Sequence, residues 1–184
     1  MRENRYVPKP LISAETIYDE ALRVLDEDGI EGLNARNLTA RLRCSSKTLY
    51  QQVGIREQMV RGIVAHAFAG LQLEFEGGDD WEDGVTAWCL GLRHVLLDRP
   101  ALAGLMTTAD RDALVGYAMQ LVAMLVEHGF SQHDAIEVAG LLNHVTLSMT
   151  LSDIKAPGEW DRPSAFETAI RWLTVGIRLE HPSA

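Results

Sequence analysis

The sequence predicts an all-α chain in two parts: a small N-terminal three-helix module with a helix-turn-helix, and a larger helical body. Three observations lead there. Apolar residues recur at spacings of three and four almost throughout, which is the period of an amphipathic helix. No alternating run of β-branched residues is long enough for a strand. Charge is uneven as well. The 184 residues carry a formal net charge of −9, yet the stretch 36–61 holds Arg36, Arg41, Arg43, Lys47, Arg56 and Arg61 against Glu57 alone. A basic patch on an acidic body can meet phosphate locally while the rest of the surface discourages indiscriminate contact.

The elements follow in order. Pro8 and Pro10 give residues 1–12 the character of an extended arm. Ser13 is a good N-cap and Glu15 favours the helix dipole, so a first helix opens there, with Ala14, Ile17, Ala21 and Val24/Leu25 as its buried stripe. Gly29 ends it. A second, short helix after Asn34 buries Leu38 and Leu42, and a third from Ser45 turns Leu49 inward. A fourth runs from about Arg56 to Phe75. Residues 13–66 form the first domain and 67–184 the second, with Gly77-Gly78-Asp79-Asp80 as the plainest break. Later helices cover Trp81–Asp98, a short piece near Ala101–Met106, Asp110–His128 and Ser131–Ile154. Residues 155–163 are a loop by composition, and a last helix starts at Ser164.

Composition excludes several classes. No apolar run reaches the ~18 residues of a membrane span, and the N-terminus lacks the pattern of a secretory signal. Cys44 and Cys89 have no CxxC spacing and read as reduced thiols in a cytoplasmic protein. The six histidines show no HExxH or equivalent. There is no phosphate loop after a strand and no nucleophile elbow. No catalytic residue, cofactor or metal is expected.

Two short helices joined by a few residues, with basic side chains outside, have the form of a helix-turn-helix. The second helix of that motif enters the major groove. Leu38, Leu42 and Leu49 would hold the pair together. Ser45, Ser46, Lys47 and Thr48 lie at the leading end of the second helix, where side chains and free N–H groups reach bases and phosphates.

Residues 12–66 resemble the N-terminal domain of tetracycline-repressor (TetR) family regulators. The shared landmarks are Gly29–Leu33, Arg36, Leu38, Leu42, Thr48-Leu49-Tyr50, Val53 and a basic residue, Arg56, opening the fourth helix. The rest resembles the family only in the number, length and order of its helices. The resemblance implies that Arg36 reads a base, its guanidinium fork suiting guanine. Ser46 and Lys47 then occupy the reading face, Thr48, Tyr50 and Gln52 hold phosphates or bases, and Arg56 grips phosphate. Arg41 and Arg43 are extra phosphate contacts. Three features depart from the family pattern: Arg43 replaces the usual turn glycine, Gly54-Ile55 replaces a Ser or Asn cap, and Gln51-Gln52 follows Tyr50.

The resemblance further implies a homodimer on a palindromic double-stranded operator, blocking transcription until a small-molecule effector releases it. The last two long helices would pair across the dimer through Leu142, Val145, Met149, Phe166, Ile170, Leu173 and Ile177. The apolar faces of these helices independently exceed what one packing partner covers. Candidate effector-pocket residues are Trp88, Leu92, Met106, Leu121, Met124, Asn143, His144 and Leu147. Asn143 and His144 are polar in an apolar helix and need partners when buried. A helical adaptor with no DNA role is the reading from another class.

Overall fold

The computed structural model describes residues 12–70, 80–106, 114–156 and 164–181. Expectations for the arm, for the end of the fourth helix near Phe75, for Gly77–Asp79, for a helix start at Asp110 and for the loop at 157–163 lie outside these residues. The described residues are helical, with no strand among them. The chain divides into two compact units between His66 and Ala67.

In the first unit, α1 (Ala14–Gly32) starts at Ser13, whose hydroxyl accepts from the Thr16 N–H at 3.1 Å. Its stripe of Ile17, Ala21, Val24 and Leu25 is buried. Gly29 does not finish the helix but breaks it: its φ of 67° and ψ of −167° interrupt the helical path, which resumes for one turn before Leu33. Asn34 caps α2 (Ala35–Leu42), accepting from the Asn37 N–H at 2.9 Å. Ser45 caps α3 (Ser46–Val53), accepting from the Thr48 N–H at 3.1 Å. Helices α1, α2 and α3 pack on one another around Leu38 and Leu49, both fully buried. Leu42 is only half-buried.

Helix α4 (Arg56–Gly70) has no Ser or Asn cap. Instead the Gln58 Oε1 accepts from the Ile55 N–H at 2.9 Å, one half of a capping box. Gly54 makes room for this. Its φ is +71°, and a Cβ there would sit 2.0 Å from Gln58 Oε1.

The second unit contains α5 (Trp81–Asp98), α6 (Pro100–Leu105), α7 (Val115–Glu127), α8 (Gln132–Lys155) and α9 (Ala165–Glu180). Helix α8 is central, packing on α5, α6, α7 and α9. Ser131 caps it, accepting from the Asp134 N–H at 3.1 Å and donating to Asp134 Oδ2 at 2.7 Å. Gly129, at φ 97°, allows the close of α7, where the Phe130 N–H reaches back to the Leu125 carbonyl at 3.1 Å. Arg93 on α5 joins three helices: it donates to Thr150 Oγ1 at 3.4 Å, pairs with Asp153 at 2.8 Å and stands 4.6 Å over the Phe166 ring.

Candidate nucleic-acid interface

The turn between α2 and α3 keeps the left-handed residue that the motif needs without using glycine. Arg43 sits at φ 49° and ψ 42°. Its N–H bonds the Ala40 carbonyl at 3.3 Å, and the next N–H, of Cys44, bonds the Thr39 carbonyl at 3.1 Å. Those bonds close α2 at a conformational cost of about 1–2 kcal/mol for an L side chain.

With Leu49 and Val53 buried, α3 leaves Ser46, Lys47, Tyr50 and Gln51 exposed. The spacing of one and four residues puts these four on one face. The Ser45 cap uses the Thr48 N–H, so the N–H groups of Ser46 and Lys47 remain at the positive end of the helix dipole. The Thr48 hydroxyl shares a 2.9 Å bond with that of Ser45, and Gln52 is half-buried beside the face.

The basic residues divide into two groups. Arg36 and Lys47 are exposed and make no hydrogen bond or ion pair with the described residues; Arg43 is exposed at the turn. The others have protein partners, although Arg56 and Arg61 are themselves exposed. Arg41 lies among the carboxylates of α1, at 2.7 Å from Glu27, 2.8 Å from Asp28 and 3.5 Å from Glu20. The Glu27 hydrogen bond is the main cause that raises its pKa above the ordinary value. Arg56, expected on phosphate, donates to the Leu33 carbonyl at 3.1 Å. Arg61 pairs with Glu57 one turn earlier. Sequence spacing carried no signal for the Arg41 and Arg56 contacts, because their partners are 13 to 23 residues away.

No family model matches the chain. Among curated proteins, it is 31 % identical over 150 residues to an HTH-type transcriptional regulator of Saccharopolyspora erythraea, covering 79 % of this chain and 63 % of that protein. It is 26 % identical over 160 residues to the class D tetracycline repressor protein of Escherichia coli, covering 84 % and 72 %. Among solved structures, the Streptomyces coelicolor TetR family protein ActR in complex with (S)-DNPA superposes with a TM-score of 0.74 at 18 % identity, over 94 % of this chain and 100 % of that one. BioQ with its double-stranded DNA operator gives 0.73 at 19 %, over 91 % and 99 %. The chain shares the fold of these TetR family proteins.

In the second unit, Trp88, Leu92, Met106, Leu121, Met124 and Leu147 are buried core residues. The Trp88 indole is bonded to the Tyr117 carbonyl, and Met124 fills the space over Gly84, where a Cβ would stand 2.8 Å from its methyl. His144 is on the outside of α8. Asn143 is buried with its Oδ1 unpartnered among the described residues; the Thr146 hydroxyl one turn on is buried too and lies beside the Cys89 thiol, short of full hydrogen-bond geometry. In sequence Thr146 is one of several hydroxyl residues along α8 and carries no signal of its own.

The dimer-face candidates also separate. Leu142, Phe166, Ile170 and Ile177 lie in the unit's own core, while Val145, Met149 and Leu173 are half-buried. The apolar side chains left outside on α8 and α9 are Ile136, Leu141, Trp172, Val175 and Leu179, with Trp172 70 % and Leu179 78 % exposed. Between them runs an open groove of about 350 Å³ lined by Leu141, Trp172, Leu173 and Gly176, with Asp134, Glu137 and Glu180 along it.

Cys89 is fully buried, and burial pushes its thiol up to about 12, with the Thr146 hydroxyl acting in the opposite direction. Cys44 is half-buried in the helix-turn-helix. Among the described residues no His, Cys, Asp and Glu cluster has metal-binding form, and no helix is long and apolar enough to cross a membrane.

Proposed function

We propose that this chain is a cytoplasmic, ligand-responsive DNA-binding regulator of the TetR family, a repressor that leaves a palindromic operator when a small molecule binds its body. The observation that carries this reading is the pair of exposed cations, Arg36 and Lys47, beside a capped recognition helix whose outer face is polar. Arg36 reads a base edge. Ser46, Lys47, Tyr50 and Gln52 lie along the groove, with Thr48 and Arg43 near phosphate.

Dimerisation supplies the second recognition helix about one helical turn of DNA away. We assign it to the outer faces of α8 and α9, through Leu141, Val145, Trp172, Val175 and Leu179. Gly140 and Gly176 face open space there, which admits a close helix approach. The effector is met in the body by Asn143 and Thr146 among apolar neighbours. It shifts the equilibrium only by its differential affinity for the DNA-bound and free states.

The test is selection from random duplexes at about 150 mM salt, a near-physiological level. The expected result is one enriched palindrome. Arg36→Ala weakens its binding by about 1–3 kcal/mol and relaxes preference at one base pair. A folded dimer that enriches no duplex would overturn the reading in favour of a protein-binding adaptor.

A further inference from the structure

Two polar contacts tie α4 to α1 within the first unit. At the start of α4, Arg56 donates from Nη1 to the carbonyl of Leu33, the residue that closes α1, at 3.1 Å. Ten residues later His66 Nε2 lies 2.7 Å from Asp19 Oδ1. A rise of 1.5 Å per residue puts the two contacts about 15 Å apart along α4. Between them the helices come close. The Tyr18 ring lies 5.7 Å from the His66 ring, and a Cβ on Gly62 would stand 2.2 Å from the Tyr18 hydroxyl and 2.4 Å from its ring. One contact fixes a point on a helix, whereas two contacts 15 Å apart fix its direction. The same α1 carries α2 and α3 on its other contacts.

We propose that Arg56 and His66 are positioning residues that pin α4 to α1 at two points, and that Arg56 serves there and not as a phosphate contact. This rests on the DNA-reading function above. The attitude of α2 and α3 on the operator is then set through α1, and α1 to α4 act as one piece.

The experiment measures binding of the full chain to its selected operator duplex by fluorescence anisotropy over a range of salt. Failure of the parent chain to bind any duplex would overturn the functional reading; the positioning proposal is decided only between a binding parent and its variants. Arg56→Gln is expected to weaken binding about two- to fivefold, the range of an exposed polar pair, with an unchanged slope of log affinity against log salt. A slope smaller by about one would mean a lost phosphate contact and would overturn the assignment. His66→Ala and Asp19→Ala are expected to weaken binding equally, and the double variant no further. His66→Gln, which keeps an N–H donor near the Nε2 position, is expected to restore most of the affinity. Parent-like binding of the alanine variants, additive losses, no rescue by glutamine, or a melting curve showing the alanine variants unfolded at the assay temperature would each overturn the proposal.

Discussion

Trp88 and Tyr117 bond each other's backbones. The Trp88 indole N–H donates to the Tyr117 carbonyl at 3.0 Å, and the Tyr117 hydroxyl donates to the Trp88 carbonyl at 3.0 Å. Their rings stack at 4.8 Å and 15°. Two large aromatics thus enter the core of the second unit with their polar ends satisfied. Gly91 leaves room for the hydroxyl, since a Cβ there would stand 2.9 Å from it. Tyr117→Phe is expected to lower stability by about 1 kcal/mol, the usual worth of one such bond. Thermal melting is the check, with a fall of about 2–4 °C for a chain this size.

Arg43 separates backbone from side chain. Arg43→Gly removes the left-handed cost at φ 49° and is expected to raise stability by up to about 1 kcal/mol, even though glycine is freer when unfolded. If the side chain holds phosphate as proposed, the same variant binds operator more weakly, with a salt slope reduced by about one. A more stable variant with unchanged affinity and slope would remove Arg43 from the interface.

The outer faces of α8 and α9 predict the oligomeric state. Trp172 is 70 % exposed in the single chain, and a charge at its position cannot be buried against a second copy without large cost. Trp172→Arg is expected to turn a dimer into a monomer in sedimentation, with helix content retained. A dimer that persists would place the interface elsewhere.

The two cysteines should differ sharply toward a thiol reagent. The thiolate is the reactive form. Cys89 is buried with its thiol at about 12, so only Cys44 reacts in the folded chain at pH 8 and Cys89 follows on unfolding. The sign for stability follows from the same shift. The unfolded thiol titrates near 9 and the folded one near 12. Unfolding therefore releases a proton between those values. Stability contributed here is full below pH 9 and falls by up to about 1.4 kcal/mol per pH unit above it. The Tyr117 hydroxyl, raised by burial and then by the Cys89 charge, adds to the decline above its ordinary 10. Denaturant titrations at pH 8 and 10.5, with Cys89→Ala as control, test this.

Much of the first unit was legible because periodicity and capping are local. Ile17, Ala21, Val24, Leu38 and Leu49 show their burial in their spacing, and Ser13, Asn34 and Ser45 cap the helices they precede. Gly29 was legible as a stop but not as a break that the helix survives for another turn. The long cations were not legible. A sequence shows that Arg41 is basic; it does not show that α1 turns Glu27 and Asp28 toward it. In α8 and α9, apolar residues occupy several faces, so the pattern could not assign which face meets the chain's own core. The core took Leu142, Phe166 and Ile170 and left Leu141 and Trp172 outside. His144 and Asn143 are neighbours in sequence, and a 100° turn of the helix sends one out and the other in.

The carboxylates around Arg41 and the Glu57 beside Arg61 change how an operator would be found. Affinity for arbitrary DNA grows with the number of phosphates a protein neutralises. Cations already matched by their own chain add little to that number. On the regulatory account, each protomer therefore offers random sequence only a thin layer of uncommitted positive charge. It dwells briefly wherever it lands, slides short distances, and reaches its target mainly by repeated encounters through solution.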